Sequence, residues 1–290
     1  MPEIKKIGLI ANPDKPRWQA NLTQAVSLIE AGQREAVAPQ LNTEAPPETT
    51  YDFDDYVHLV KKTDLILVVG GDGTMLGAAR ALQGAKTPIL GINTGNLGFL
   101  TTAPMADLEA VLSCIWEEDF RIVTRPFIEA TIKNRPLKKA ITALNDFVIS
   151  RGELSRMIQL NVSVDGDFLT KYQADGLIVC SPTGSTAYSL SAGGPIVSPN
   201  TAAISLTPIC PHALSNRSVI VPLESVIEVE VGRHRHETIL TADGQVPTML
   251  KPRDTVQFRR SKKHFRLLSL RNNSFFKTLR QKMKWSGSNL

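Results

Sequence analysis

The sequence predicts a protein in three parts: an α/β domain with a Rossmann-like parallel sheet over residues 1–122, a β-rich domain over 123–268, and a basic C-terminal helix, 269–290, packing back on the first domain. Three observations carry this. Apolar runs of strand length alternate with helical patterns through the first part, the arrangement that gives a parallel sheet covered by helices. From about Ile122 the apolar period drops to two and hairpin signals replace helices. After Asp254 acidic residues vanish while basic ones accumulate, ending in a stretch of helical spacing.

In order along the chain, residues 7–11 (Ile-Gly-Leu-Ile-Ala) read as a first strand that Asn12-Pro13 breaks, and a helix follows over Trp18–Ala31. A Pro- and Thr-rich loop near residues 45–50 leads to Leu65–Val69, an apolar run bounded by glycine and so read as a buried strand. Residues 75–82 are rich in good helix formers. Residues 88–92 make the next strand, and 107–118 a helix with Leu108, Val111, Leu112 and Ile115 at helical spacing. Beyond Ile122, residues 127–133 and 157–164 alternate like strands, and Asp165-Gly166 signals a hairpin into residues 168–170. Residues 226–231, 237–241 and 256–259 continue the pattern, and residues 274–285 return to helix with Phe276, Leu279 and Met283 on one side.

At 290 residues the chain has room for one large or two ordinary domains with a substantial core. Apolar content of 42% and charged content of 21% are those of a soluble globular protein. The opening Met-Pro-Glu-Ile-Lys-Lys has no long apolar core, so no signal peptide is expected. No apolar stretch approaches the roughly 20 residues that cross a bilayer. Cys114, Cys180 and Cys210 are widely spaced, form no zinc pattern, and point to free thiols in a reducing compartment, naturally the cytoplasm. The net charge of +5 is uneven: Arg259, Arg260, Lys262, Lys263, Arg266, Arg271, Lys277, Arg280, Lys282 and Lys284 face no acidic residue after Asp254, and the rest of the chain is net acidic. Such asymmetry would permit nucleic-acid or membrane-surface binding. Aromatic and basic residues scarcely interleave as a single-strand binder requires, so a solvated strand edge and helix face is the plainer reading, with neither nucleic acid nor membrane expected as partner.

Gly70-Gly71-Asp72-Gly73-Thr74 stands directly behind the strand Leu65–Val69. Bare backbone at such a strand-to-helix turn can approach a phosphate, and the helix N-terminus points amide donors at it. A carboxylate would repel phosphate, so Asp72 is expected either to hold a metal ion or to take a proton, and the combination suggests phosphoryl transfer. The run has neither the spacing of the dinucleotide fingerprint nor the Lys-Ser/Thr ending of a P-loop. Gly70, Gly71 and Thr74 are phosphate-loop candidates, joined by Asn93, Gly95 and Asn96 from a second glycine-rich loop, although an ordinary turn uses the same residues. Residues 175–195, DGLIVCSPTGSTAYSLSAGGP, run an apolar strand into a hydroxyl-dense loop and short helix. Hydroxyls between core elements are costly unless they meet backbone or ligand. Asn145-Asp146 and Asp243-Gly244-Gln245 read either as turn chemistry or as site residues.

Taken together, these residues closely resemble the NAD kinase family over nearly the whole chain. GGDGT, NTGNLGFL at 93–100, Asn145-Asp146, the 175–195 stretch and TPICPH at 207–212 occur in the family's order and approximate spacing. GGDGT alone is shared with diacylglycerol and sphingosine kinases and phosphofructokinases; the 175–195 stretch is far more specific. The tail FFKTLR at 275–280, followed by Trp285, resembles the bacterial, especially cyanobacterial, branch. The resemblance implies transfer of the terminal phosphate of ATP to the 2′-hydroxyl of the adenosine ribose of NAD, giving NADP. It further implies a divalent cation, expected to be Mg²⁺, and a homodimer or homotetramer, and leaves the metal ligands unassigned.

Residue by residue, the resemblance makes Asp72 the general base on that hydroxyl, with Gly73 beside it, and places both among the NAD-binding residues. Asn145 and Asp146 would hold the dinucleotide by adenine and ribose contacts, Arg156 would also bind it, and Asp175 would lie toward the nicotinamide end. Thr186, Ala187, Tyr188 and Ser191 would line the adenine and ribose pocket, with Gln245 reaching the same region. Two positions depart from the family pattern. Glu usually follows the Asn, and Asp146 is one methylene shorter; some members have His where this chain has Gly77, so no phosphate contact is assigned there. His212 is expected to be structural. Two other readings share some of these residues. A lipid kinase is disfavoured by the polar 183–191 segment, and a non-catalytic nucleotide sensor by the intact Asp72.

Overall fold

Strands with no polar position to turn toward water form the centre of the first of two units in the computed structural model, which describes residues 3–39, 57–135, 140–152, 156–213, 216–233 and 237–285. This unit comprises Met1–Thr124 and Phe265–Leu290; the other is Arg125–His264. The loop near 45–50 lies outside the described residues. β1 (Lys6–Ala11) feeds α1 (Trp18–Ala31), followed by β2 (Glu35–Val37), α2 (Val57–Val60), β3 (Leu65–Val69), α3 (Asp72–Ala81), β4 (Ile89–Asn93), β5 (Ala103–Pro104) and α4 (Leu108–Trp116). Every position of β3 and β4 is buried. That is why their sequences are apolar but for Asn93 at the end of β4: a parallel strand covered on both faces has no side to turn toward water. β2, β1, β3 and β4 pair in that order, all parallel, with Ile7 opposite Leu65 and Ile66 opposite Ile89. Leu22, Ala25 and Ile29 of α1 and Leu108, Val111, Leu112 and Ile115 of α4 pack into one apolar cluster with these strands.

β6 (Phe120–Ile132) leads into the second unit. There follow β7 (Ile141–Ala143), β8 (Asp146–Arg151), β9 (Ile158–Val164), β10 (Asp167–Ala174), β11 (Gly176–Cys180), the single turn α5 (Tyr188–Ser191), β12 (Ala203–Ile209), β13 (Val219–Pro222), β14 (Ile227–Val231), β15 (Thr238–Ala242), β16 (Val246–Leu250) and β17 (Thr255–Leu270). Six of these strands form an antiparallel sheet in the order β13-β12-β11-β8-β15-β16. β10, β9, β14 and the start of β17 pair as a second antiparallel layer. Alternate residues of both layers meet in one core, with the rings of Phe147 and Phe258 5.3 Å apart. The predicted hairpin at Asp165-Gly166 has φ of 53° and 91°, left-handed at both positions as a type I′ turn requires. Asp243-Gly244, with φ of 50° and 65°, makes the same kind of turn between β15 and β16.

Three elements differ from expectation. β17 runs for 16 residues where the sequence suggested strand only over 256–259, because its buried positions change phase, from Val256 and Phe258 to Ser261, Phe265 and Leu267 and then to Leu268 and Leu270, with exposed Arg259, Lys262 and Lys263 between them, so no single alternation runs through it. Its end returns to the first unit, where Leu267 pairs with Ile89. α3 starts at Asp72 rather than near Met75: Gly71 takes an extended N-cap conformation and its carbonyl already accepts the Met75 N–H at 3.1 Å. In α6 (Phe275–Met283), Phe276 does not share the inward face with Leu279; it is 62% exposed. Phe275, four residues before Leu279, turns inward instead and stacks on Phe99 with centroids 6.0 Å apart. The basic tail meets acidic residues, Arg259 with Glu129, Arg260 with Glu224 and Arg271 with Asp119. Among the described residues no helix is long and apolar enough to cross a membrane.

Candidate active site

In the first unit the sheet itself delivers the glycine turn. The Gly70 N–H still donates to the Ile92 carbonyl at 2.8 Å, so pairing persists to the end of β3. A Cβ at Gly70 would stand 2.4 Å from Thr74 Oγ1, a conflict only glycine avoids. Asp72 then opens α3, where the helix dipole favours a carboxylate. Its Oδ2 accepts the Phe99 N–H at 2.8 Å and its Oδ1 the Leu100 N–H at 3.0 Å. Gly98 makes this grip possible, because a Cβ there would fall 1.8 Å from Asp72 Oδ1. The carboxylate is thus held by the loop after β4, and each oxygen keeps further acceptor capacity. Gly98 stood in the sequence only as part of a motif, and no spacing rule links it to a side chain 26 positions earlier.

Asn93 is buried and spends its amide on its own loop: Oδ1 accepts the Gly95 N–H at 2.8 Å, and Nδ2 donates to the Asn96 carbonyl. The folded loop, with Gly71, lines one side of a pocket of about 550 Å³ whose other side carries Lys15, Arg17 and Asn21. The two cations were missed because nothing in Asp-Lys-Pro-Arg distinguishes a site from an ordinary loop before a helix. Among the described residues no three His, Cys, Asp or Glu side chains converge to cage a metal ion. Mg²⁺ commonly binds largely through substrate phosphates, so an ion arriving with a triphosphate would need no such cage.

In the second unit Asn145 and Asp146 lie where β8 begins, both buried. Asn145 Oδ1 has no hydrogen-bond partner. Burial first, and the neighbouring Asp243 carboxylate second, push the Asp146 pKa up to about 7. The hydroxyl-dense segment divides its labour. Ser181 N–H donates to the Asn145 carbonyl at 2.8 Å and Ser181 Oγ to that of Leu144. Ser185 Oγ donates toward the Pro182 and Val197 carbonyls and accepts the Val197 N–H, while Ser189 Oγ meets Thr207 Oγ1 at 3.2 Å. These inward hydroxyls meet backbone groups or one another. Thr186 and Ala187 are half-buried, and Tyr188 and Ser191 are exposed. Gly184 lets this turn press on Asn145, whose carbonyl oxygen would lie 2.3 Å from a Cβ.

The remaining predicted residues are not all together. Gln245 is exposed in the turn beside Asp243, at the Asn145 end of the sheet. Asp175 is at the other end of the β8–β11 pair, about 17 Å along the strand at about 3.4 Å per residue, and accepts Arg151 Nε at 2.8 Å. Arg156 is exposed, as is His212, whose N–H donates to the Gln173 carbonyl at 2.9 Å.

Fold and residues together define a two-unit kinase. The model of the ATP-NAD kinase N-terminal domain matches residues 7–120, and that of the ATP-NAD kinase C-terminal domain matches 144–270. The chain belongs to the ATP-NAD kinase family, a family of enzymes. It is 40% identical over 287 residues to the NAD kinase of Moorella thermoacetica, covering 98% of this chain and 91% of that one. It is also 40% identical to the NAD kinase of Solibacter usitatus, covering 98% and 99%. Among solved structures, yeast NADH kinase complexed with NADH superposes with a TM-score of 0.84 at 25% identity, covering 100% of this chain and 90% of that one. An NAD kinase from Archaeoglobus fulgidus in complex with ATP gives 0.75 at 26% identity, covering 97% and 100%. These matches favour neither the lipid-kinase nor the sensor reading.

Proposed function

We propose that the chain transfers the terminal phosphate of ATP to the 2′-hydroxyl of the adenosine ribose of NAD, giving NADP, with Asp72 as the general base. The observation that carries the reading is the fixed Asp72 carboxylate, held by two backbone N–H groups in the space that Gly98 leaves for it. Holding the base in place is most of what a protein contributes to phosphoryl transfer, which runs on positioning and charge neutralisation. Asp72 takes the proton from the hydroxyl as its oxygen attacks the terminal phosphorus of ATP and the bond to the bridging oxygen breaks to release ADP, and Gly73 leaves the approach beside it open, since a Cβ there would meet nothing within 4 Å. Gly71, Gly95 and Asn96, with Lys15 and Arg17, bind the phosphates of ATP in the pocket they line, the two side chains supplying positive charge, while the Gly70 N–H is spent on the Ile92 carbonyl and Thr74 is buried. A bound Mg²⁺ would supply further neutralisation of the phosphate charge.

On the acceptor, Asn145 reads the adenine through the buried Oδ1 that lacks a partner, suited to an exocyclic amino group. Asp146 accepts a ribose hydroxyl. Thr186, Ala187, Tyr188 and Ser191, with Gln245, line the adenosine. Asp175 and Arg156 serve the nicotinamide half, with Arg151 orienting Asp175. The enzyme acts as a homodimer or homotetramer, and its three free cysteines suit the cytoplasm. The test is incubation with ATP, Mg²⁺ and NAD, followed by an NADP-specific dehydrogenase assay, with sphingosine and diacylglycerol as parallel acceptors. NADP formation with no lipid phosphate is expected. Lipid phosphorylation, or tight NAD binding with no NADP, would overturn the assignment.

A further inference from the structure

We infer that Asp243 is the positioning residue of the dinucleotide subsite: its carboxylate sets the backbone from which Asn145 and Asp146 reach the adenosine. The inference rests on the NAD reading above. Asp243 is buried in the left-handed turn between β15 and β16. Its Oδ2 accepts the Leu144 N–H at 3.0 Å, and its Oδ1 accepts the N–H groups of Asn145 at 2.8 Å and Asp146 at 3.2 Å. Its own N–H donates back to the Asp146 carbonyl at 2.9 Å. Three successive amides at the start of β8 therefore converge on one anion, as in the backbone nests that bind anions elsewhere. The carbonyls of Leu144 and Asn145 are taken by Ser181, so the peptide is pinned on its donor side by Asp243 and on its acceptor side by Ser181.

With the backbone fixed, the adenosine meets two side chains whose roots do not move. The arrangement has a cost that a cap serving stability alone would avoid. It sets a second carboxylate beside the buried Asp146, and like charges at close range disfavour ionisation. Asp146 is faced from the β15–β16 turn by Asp243 and from β11 by the Cys180 thiol, which burial pushes up and keeps neutral. A neutral amide at 243 would turn a donor toward at least one of the three N–H groups.

In the Asp243→Asn variant the KM for NAD is expected to rise about tenfold or more while the KM for ATP and kcat at saturating NAD stay within about threefold, the pattern of lost binding rather than lost chemistry. NAD affinity in the wild type is expected to rise with pH through about 7 as Asp146 ionises. Removing the Asp243 charge removes its upward push, so this limb moves to lower pH in Asp243→Asn and vanishes in Asp146→Asn. A lower melting temperature with unchanged KM for NAD and an unmoved limb would reduce Asp243 to a structural cap and overturn the inference. Amide hydrogen exchange on the wild type reads the same claim without a variant. Leu144, Asn145 and Asp146 should be protected before NAD is added, and protection appearing only with NAD would refute preorganisation. A wild type that makes no NADP would defeat the functional reading instead, and the exchange result would still stand or fall separately.

Discussion

Replacing Gly98 with alanine tests how closely the base is held. The added methyl would lie 1.8 Å from Asp72 Oδ1 and 2.4 Å from its Cγ, while such contacts are essentially never seen under 3.0 Å, so the carboxylate must withdraw by at least about 1.2 Å. It would then leave the N–H groups of Phe99 and Leu100, now at 2.8 and 3.0 Å. A misplacement of about 1 Å at a reacting group costs about 10²-fold in rate. Gly98→Ala is therefore expected to lower kcat by about 10²-fold, by the same positional effect. NAD affinity should hold within about threefold, since the contacts at Asn145 and Asp146 are unchanged, which leaves the loss in the chemical step. Steady-state kinetics give kcat, calorimetry gives NAD affinity, and circular dichroism confirms the fold. A folded variant with kcat within about threefold of wild type would show that the Phe99–Leu100 grip does not aim Asp72.

Two further outcomes follow from the geometry. Asp146 has a folded-state pKa raised from 3.8 to about 7, so its contribution to stability is fully present below about 3.8 and is lost as pH rises through about 7. At about 1.36 kcal/mol per pH unit, Asp146→Asn should gain up to about 4 kcal/mol over the wild type at pH 8 and nearly nothing at pH 4, while NAD binding weakens. Urea unfolding at the two pH values checks this, and an equal effect at both would refute it. Replacing Lys15 and Arg17 together with alanine removes both cations of the glycine-loop pocket and should raise the KM for ATP by about tenfold or more, leaving that for NAD within about threefold. An unchanged KM for ATP would remove them from the donor site.

The first unit was the more legible part of the chain. Leu65–Val69 and Trp18–Ala31 are unbroken patterns of a single period, and both stand at the predicted residues. Asp165-Gly166 carried its own turn chemistry. β17 was shortened by sequence reasoning because its buried positions change phase, and the inward turn of Phe275 rather than Phe276 depends on Phe99, which no local pattern reveals. At the site, the glycine turn and Asn145-Asp146 were visible as short motifs. The residues that hold them were not. Gly98 acts on Asp72, and Asp243 acts on Leu144 to Asp146, across separations that only the folded sheets close. Buried serines and exposed Tyr188 and Ser191 looked alike in the sequence, and only which way each faces distinguishes scaffold from surface.

The central claim is that Asp72 takes the proton from an NAD hydroxyl. Asp72→Asn keeps the size of the side chain and removes the base. With ATP and Mg²⁺ saturating, NADP formation followed by an NADP-specific assay should fall by roughly 10²–10⁴-fold, the usual contribution of a general base. NAD affinity by calorimetry should hold within about threefold, since asparagine keeps the side chain's size and the contacts at Asn145 and Asp146 are unchanged. Turnover within about threefold of wild type in that folded, NAD-binding variant would contradict the account.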